Sequence, residues 1–454
     1  MKSWLYNRLF IFYTFVILLS LINHFWGQTW LDYMIGILAI PMLIVSYPGA
    51  SKLFKILGTA FMFAGIFFFY SANLSIYEIP LLLTSNMTML GFLLVLPWIN
   101  SVVYVGKYDK QINQLMVKKV ENLGSLYVKG TFTSYILMMF LNLSGINIAQ
   151  EVLKENLNKL SKKVRDTFIS KTTVRAYVLA LIWSPMEIIV AITVGATGVN
   201  YLKILPYLLL VSFIALIVDV IVGKWRFKNI PFESPKETIP LPTKEIVKKL
   251  IQLFVALFLF LAFILMVSNL FNLNFIIAVT LVILPFSAIW ALLIKRWYHF
   301  KILGYKLWKT QTNKMQNFVV LFISLAFFSN SLNATPALKV IQQPFMHYAN
   351  SPFIIFVLIL ITYFLMSLIG VHPIGVIGVL VEILAPLFNI INPTSIAIVL
   401  IVSALATSSS SSYGITVTLT SINTNQNPYL ITLRNLPFTF IFGFIGILVA
   451  ILIL

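Results

Sequence analysis

The chain has 454 residues, of which 60% are apolar and 10% charged, and it carries no cysteine. A soluble protein of this size lacks the polar surface to cover so much apolar side chain, so a soluble enzyme or binding module is excluded, and disulfides and thiolate metal sites go with the missing cysteine. The net charge of +19 does not point to nucleic acid, because Lys and Arg collect in the cytoplasmic loops of membrane proteins.

Apolar runs long enough to cross a bilayer as helices fall at about 9–26, 30–47, 54–72 and 78–104. The first follows only Lys2 and Arg8 and has no small-residue cleavage site, so it reads as a retained helix rather than a signal peptide. A basic stretch, Lys107 to Lys129, precedes an apolar segment at about 130–149. A charged segment from Lys154 to Arg175 follows, then runs at about 173–198 and 201–222. A loop containing Pro231, Pro235, Pro240 and Pro242 separates the halves. The second half has runs near 248–270, 274–294, 317–333, 353–370, 374–391, 393–425 and 436–454.

Charge orders these runs. Let the N-terminus be cytoplasmic, let 126–158 be a re-entrant hairpin entering from inside, and let 353–391 be one entering from outside. Of the 32 Lys and Arg, only Lys203 and Lys339 then fall outside, with Asp32 and Glu78, and the C-terminus ends outside. Making either hairpin a full crossing scatters the basic loops over both faces.

The halves also match. Leu143-Ser144-Gly145-Ile146-Asn147 centres the first hairpin and Leu368-Ile369-Gly370-Val371-His372 the second. Gly145 to Ser184 and Gly370 to Ser409 are the same separation, 39 positions. Both endpoints lie in a polar break inside an apolar run: Trp183-Ser184-Pro185-Met186-Glu187 and Thr407–Gly414. The expected fold is all-α and polytopic, with two inverted-topology repeats, each holding a re-entrant hairpin and a broken transmembrane helix. The expected boundaries are 1–29 for an extra N-terminal helix, 30–228 for the first repeat, 229–247 for a cytoplasmic linker and 248–454 for the second repeat. The broken helices are expected at about 173–198 and 393–425.

Unwound backbone survives at membrane depth only where protein or water satisfies it. Free helix N-termini suit anions and free carbonyls suit Na⁺, so two tips and two breaks converging at mid-depth make a binding site. At this point the order of hairpin, broken helix and closing helix opening on Tyr201-Leu202-Lys203-Ile204-Leu205-Pro206 resembles the ion transporter superfamily. That group includes sodium-coupled dicarboxylate and sulfate carriers, citrate carriers and arsenite efflux carriers. The resemblance covers about residues 30–454 and implies ion-coupled solute transport. Members often carry Ser-Asn-Thr at each tip, where this chain has Ser144-Gly145-Ile146-Asn147 and Gly370-Val371-His372-Pro373.

The solute-binding candidates are Asn142, Ser144 and Asn147 at the first tip, Ser184 at the first break, His372 at the second tip, and Ser408, Ser409, Ser410, Ser411 and Ser412 at the second break. Against each stands a plainer role: turn capping for Ser and Asn, a satisfied neutral imidazole for His372, close small-residue packing for the serine run. Five consecutive hydroxyls cover every face of that segment, which packing alone does not require. Glu187, an acid inside a break, His372 and Thr416 are the ion-coupling candidates; capping of freed N–H groups is the plainer role for Glu187. Glu382 is expected at the outer rim, Asp219 in an interfacial pair near Lys224 and Arg226, and Ser85–Thr88 in a straight helix. No cofactor or metal site is expected, and H⁺ or Na⁺ is the expected coupling ion. Expected partners are membrane lipids and a small solute, with a homodimer open and no nucleic acid.

The function expected is secondary active transport of a small organic or inorganic anion by ion-coupled alternating access, in the cell membrane. The alternatives are a flippase for lipid or lipid-linked precursors, a non-transporting assembly partner on the same fold, or a channel. An intramembrane enzyme would need a Ser/His or Asp pair, metal ligands or a phosphate loop, and none is present as a motif.

Overall fold

A computed structural model describes residues 8–108, 116, 120–232 and 243–454; most of the proline-containing linker lies outside them. The described chain is helical. In the first half come α1 (Leu9–Trp26), α2 (Thr29–Ser46), α3 (Lys52–Ser71), α4 (Ile79–Leu82), α5 (Met87–Val105), α6 (Leu123–Leu141), α7 (Leu143–Asn156), α8 (Lys162–Leu181), α9 (Ile188–Thr197) and α10 (Tyr201–Phe227). The second half has α11 (Thr243–Phe271), α12 (Phe275–Leu293), α13 (Trp297–Asn313), α14 (Gln316–Asn333), α15 (Ala337–His347) and α16 (Pro352–Leu368). It closes with α17 (Pro373–Leu384), α18 (Pro393–Ser408), α19 (Ile415–Thr424) and α20 (Pro428–Ile451). Among the described residues, eight helical segments are long and apolar enough to cross a membrane. The protein is therefore a polytopic α-helical membrane protein.

The chain folds into two compact units, each assembled from stretches of both halves. Unit one comprises Met1–Val102, Ile264–Asn350 and Ile374–Leu387; unit two comprises Val103–Phe263, Ser351–Pro373 and Phe388–Leu454. In unit one, α3 packs along α14 through ring pairs Phe54–Phe318, Phe61–Phe328 and Phe69–Phe327. The 78–104 run is not straight, contrary to the reading of Ser85–Thr88 as continuous helix. It is interrupted between α4 and α5, and Asn330 reaches in to donate to the Leu82 carbonyl at 2.8 Å while Asn86 donates to the Phe322 carbonyl at 3.2 Å. Carboxamides fill the gap because backbone freed in hydrocarbon must find a partner.

Two further helices escaped the hydropathy pattern. Trp297–Asn313, polar enough to read as a loop, is the helix α13, bent by 54° from α14. Its Lys and aromatic residues alternate, so no apolar run betrays it. The amphipathic α15 lies between α14 and α16 for the same reason.

Candidate functional site

Unit two holds every residue proposed from the sequence to bind solute or ion. The first turn comes at Asn142, not at Gly145: α6 ends at Leu141 and α7 already includes Ser144 and Asn147. Asn142 has φ +50°, a conformation uncommon for a residue other than glycine. Gly145 serves the hairpin differently: a side chain there would press on the Met138 backbone at 3.1 Å, so its absence lets the two arms close.

The first break spans residues 182–187, between α8 and α9. Pro185 has no N–H to give, and Glu187 caps α9, its Oε1 accepting from the Ile189 amide at 3.4 Å. The Ser184 hydroxyl accepts from the Met186 amide at 3.3 Å. The Trp183 carbonyl accepts from Tyr201 Oη, and the Trp183 indole donates to Tyr135 Oη at 2.6 Å. Ser184 and Glu187 are buried. Tyr177 Oη donates to Asn142 Oδ1 at 2.8 Å, and the Asn142 side chain acts electrostatically on the Glu187 carboxyl. Tip and break of the first half thus meet through Tyr177, Asn142 and Glu187.

The second break, residues 409–414, lies between α18 and α19. Its hydroxyls are engaged within the protein. Ser408 Oγ donates to the Ala404 carbonyl at 2.9 Å and Ser409 Oγ to the Ala406 carbonyl at 2.7 Å. Thr439 on α20 meets both Ser409 (3.0 Å) and Ser410 (2.8 Å). Ser411 Oγ donates to the Ser367 carbonyl at 3.2 Å, and Ser412 pairs with Thr432 at 2.9 Å. Thr416 donates to the Ser408 carbonyl. The second tip, Ile369–His372, lies beside this break: Gly370 takes φ +86°, and a Cβ on it would meet the Tyr413 ring at 3.3 Å. His372 is half-buried on that connector.

The halves also interlock. The first tip's Asn147 is exposed and faces not its own break but α19, accepting from Asn423 Nδ2 at 2.8 Å; Gln150 joins the same seam through Asn423 (2.9 Å) and Thr420 (2.8 Å). Ser144 is half-buried on α7.

One polar cluster was misassigned from the sequence. Asp219 is buried, and its partner is Arg175, not Lys224 or Arg226: Arg175 Nη1 donates to Asp219 Oδ1 at 2.7 Å. Tyr127 Oη donates to Oδ2 at 2.8 Å. Arg175 also donates to Asn435 Oδ1 and the Arg434 carbonyl, each at 3.0 Å, and lies over the Phe438 ring. Gly223 makes this possible, because a Cβ there would strike the Tyr127 ring that reaches Asp219. The cluster ties α8, which leads into the first break, to α6, α10 and α20. By charge pattern alone Arg175 belongs with the loop charges before it. The signal available was position: Arg175 lies a full three turns inside a helix that begins at Lys162.

A fold with two polar breaks and two turns buried among apolar helices defines a class, the polytopic membrane proteins built around broken helices. No family model and no curated protein matches the sequence. Among solved structures, the chain is similar to the Alcanivorax borkumensis YdaH transporter, with 11% identity, a TM-score of 0.55, and coverage of 80% of this chain and 84% of that one. At that identity the likeness is one of fold.

Proposed function

We propose that this protein is a secondary active transporter for a small solute, with its site in unit two around the two tips and two breaks. The observation that carries the reading is the first break: a buried carboxyl, Glu187, held at unwound backbone beside Asn142 of the re-entrant turn. An ionisable group in the membrane is costly and is retained where it serves ion or substrate passage. The fold likeness to the YdaH transporter supports the same direction. Inverted repeats, a cytoplasmic N-terminus and an anionic solute coupled to H⁺ or Na⁺ complete the reading, with Glu187 and His372 as the proton-carrying candidates. The serine run then acts chiefly as a scaffold that could open hydroxyls to solute when its bonds to Thr439 and Thr432 exchange.

A second reading, movement of a lipid or lipid-linked precursor, is supported by an open apolar groove of about 550 Å³ on unit two. It is lined by Phe132, Tyr135, Pro206, Phe213 and Phe254 among others, and Tyr135 connects it to Trp183 in the first break. Purified protein in proteoliposomes separates these. A thermal-shift screen of carboxylates, sulfate and phosphate, with and without Na⁺, selects solutes for counterflow. Saturable counterflow supports the carrier. Its absence together with scrambling of a fluorescent lipid supports the second reading, and non-saturable conductance overturns both.

A further inference from the structure

The transport reading leaves α15 without a role. The helix runs Ala337–His347, 11 residues, which is roughly 16 Å and about half the apolar thickness of a bilayer. It is too short to span, yet the chain holds it beside apolar helices. Residues 334–336 join it to α14, and residues 348–351 join it to the apolar α16. With α13, α14 is apolar enough to cross a membrane.

At about 100° of turn per residue, the side chains of α15 fall into three sectors, each roughly a third of the circumference. One faces the protein. Gln342 is 8% exposed, its Nε2 donates to the Glu382 carbonyl on α17 at 2.9 Å, and the half-buried Leu338 and Phe345 flank it. Asn333, the last residue of α14, donates to the Glu382 carboxylate at 3.0 Å, so α14, α15 and α17 meet at one residue within unit one. The second sector is polar and exposed: Lys339, Gln343 and His347. The third is apolar and exposed: Val340 (63%), Ile341 (38%) and Pro344, with Tyr348 (40%) at the C-terminal cap.

Protein covers the first sector and water suits the second, which leaves the third to an apolar partner. A short helix that is polar along one edge and apolar along the next lies in the bilayer interface with its apolar edge sunk among the lipids. Tyr348 at the end of the stripe suits that depth, since its ring is apolar and its hydroxyl prefers water. We propose that α15 is an interfacial helix that docks Val340, Ile341, Pro344 and Tyr348 into the lipid bilayer, at the boundary of headgroups and acyl chains. The partner is the lipid surface itself. Lys339 is the one permanently charged side chain on the helix, so the contact is apolar rather than selective for a headgroup. The proposal is independent of what the tips and breaks carry.

The absence of cysteine makes the full chain ready for single labels. V340C, I341C, Q343C and H347C each receive a nitroxide, and the protein is placed in phosphatidylcholine vesicles. Collision with oxygen, which concentrates in lipid, is compared with collision with a neutral nickel chelate, which stays in water. V340C and I341C are expected to favour oxygen and to lie about 5–10 Å into the interface, whereas Q343C and H347C are expected to favour the chelate. A second arm needs no variant. Wild-type protein in vesicles of a phosphatidylcholine with a diazirine on its acyl chain is irradiated, and adducts are mapped by mass spectrometry. Adducts are expected on Val340–Tyr348 and, as a control, around Phe258, which is 73% exposed on the spanning helix α11. The proposal is overturned if V340C and I341C favour the chelate as Q343C does, so that the stripe faces water. It is equally overturned if both reagents are excluded there, which would mean that a second copy of the chain or another protein covers the stripe. Adducts on α11 with none on α15 overturn it in the wild-type arm.

Discussion

The two breaks in unit two pose the same backbone problem and solve it with different chemistry. The first keeps a carboxyl: Glu187 caps α9, meets Asn142, and lies on a helix pair anchored by the buried Arg175–Asp219 bond. The second keeps only hydroxyls, and those close on backbone carbonyls and on Thr432 and Thr439. A hydroxyl brings one donor and two acceptor sites, so a run of them can satisfy freed carbonyls without any charge. The difference assigns roles. Under the proposed function the ionisable break would exchange a proton or cation, and the hydroxyl break would hold backbone while α18 and α19 stay joined.

The largest test of that division removes the anchor of the first break. D219A leaves Arg175 charged and buried without its carboxylate, and breaking a buried pair from one side costs about 3–5 kcal/mol. Thermal unfolding in detergent should show it, and R175M/D219L should recover much of the loss. If D219A unfolds like wild type, the first break has no ionic anchor and the contrast fails. Next comes E187Q, whose amide oxygen still caps α9, so stability should hold. Uptake in proteoliposomes should fall at least about tenfold, roughly 1.4 kcal/mol of lost coupling. Uptake unchanged by E187Q would mean that the carboxyl is only a cap. In the second break, S411A deletes the bond to the Ser367 carbonyl that ties break to tip. A loss of about 0.5–1.5 kcal/mol with binding intact would sharpen the scaffold role, whereas lost binding with intact stability would make Ser411 a solute ligand. The smallest effect is expected at Thr172 on α8, whose buried hydroxyl has no hydrogen-bond partner among the described residues. T172V keeps the shape and should be neutral or slightly stabilising in the same unfolding assay.

Much of the site was legible because its signal is local. Ser184–Glu187 and the serine run stand out as polar interruptions of apolar runs, and both proved to be helix breaks. Asn147, assigned to the first tip, turned out to face α19 instead, because the turn falls five residues earlier. Glycine is not the only residue that accepts positive φ, and here Asn142 takes it while Gly145 supplies close approach. Asp219 was placed in the wrong pair, since its nearest cations in sequence are not its nearest in space.

Sequence alone determined the membrane class, most of the apolar helical spans and the two polar breaks. Those follow from hydrophobic length and from the demand that every backbone group in hydrocarbon be satisfied, and both are properties of a short segment. Tertiary structure decided which charge meets which, which hydroxyls are free, and how stretches of both halves join in each compact unit. Arg175 and Asp219 are 44 residues apart and Gln150 and Thr420 are 270 apart. Such pairs exist only because helices pack side by side, and no periodicity along the chain encodes which faces they present to one another.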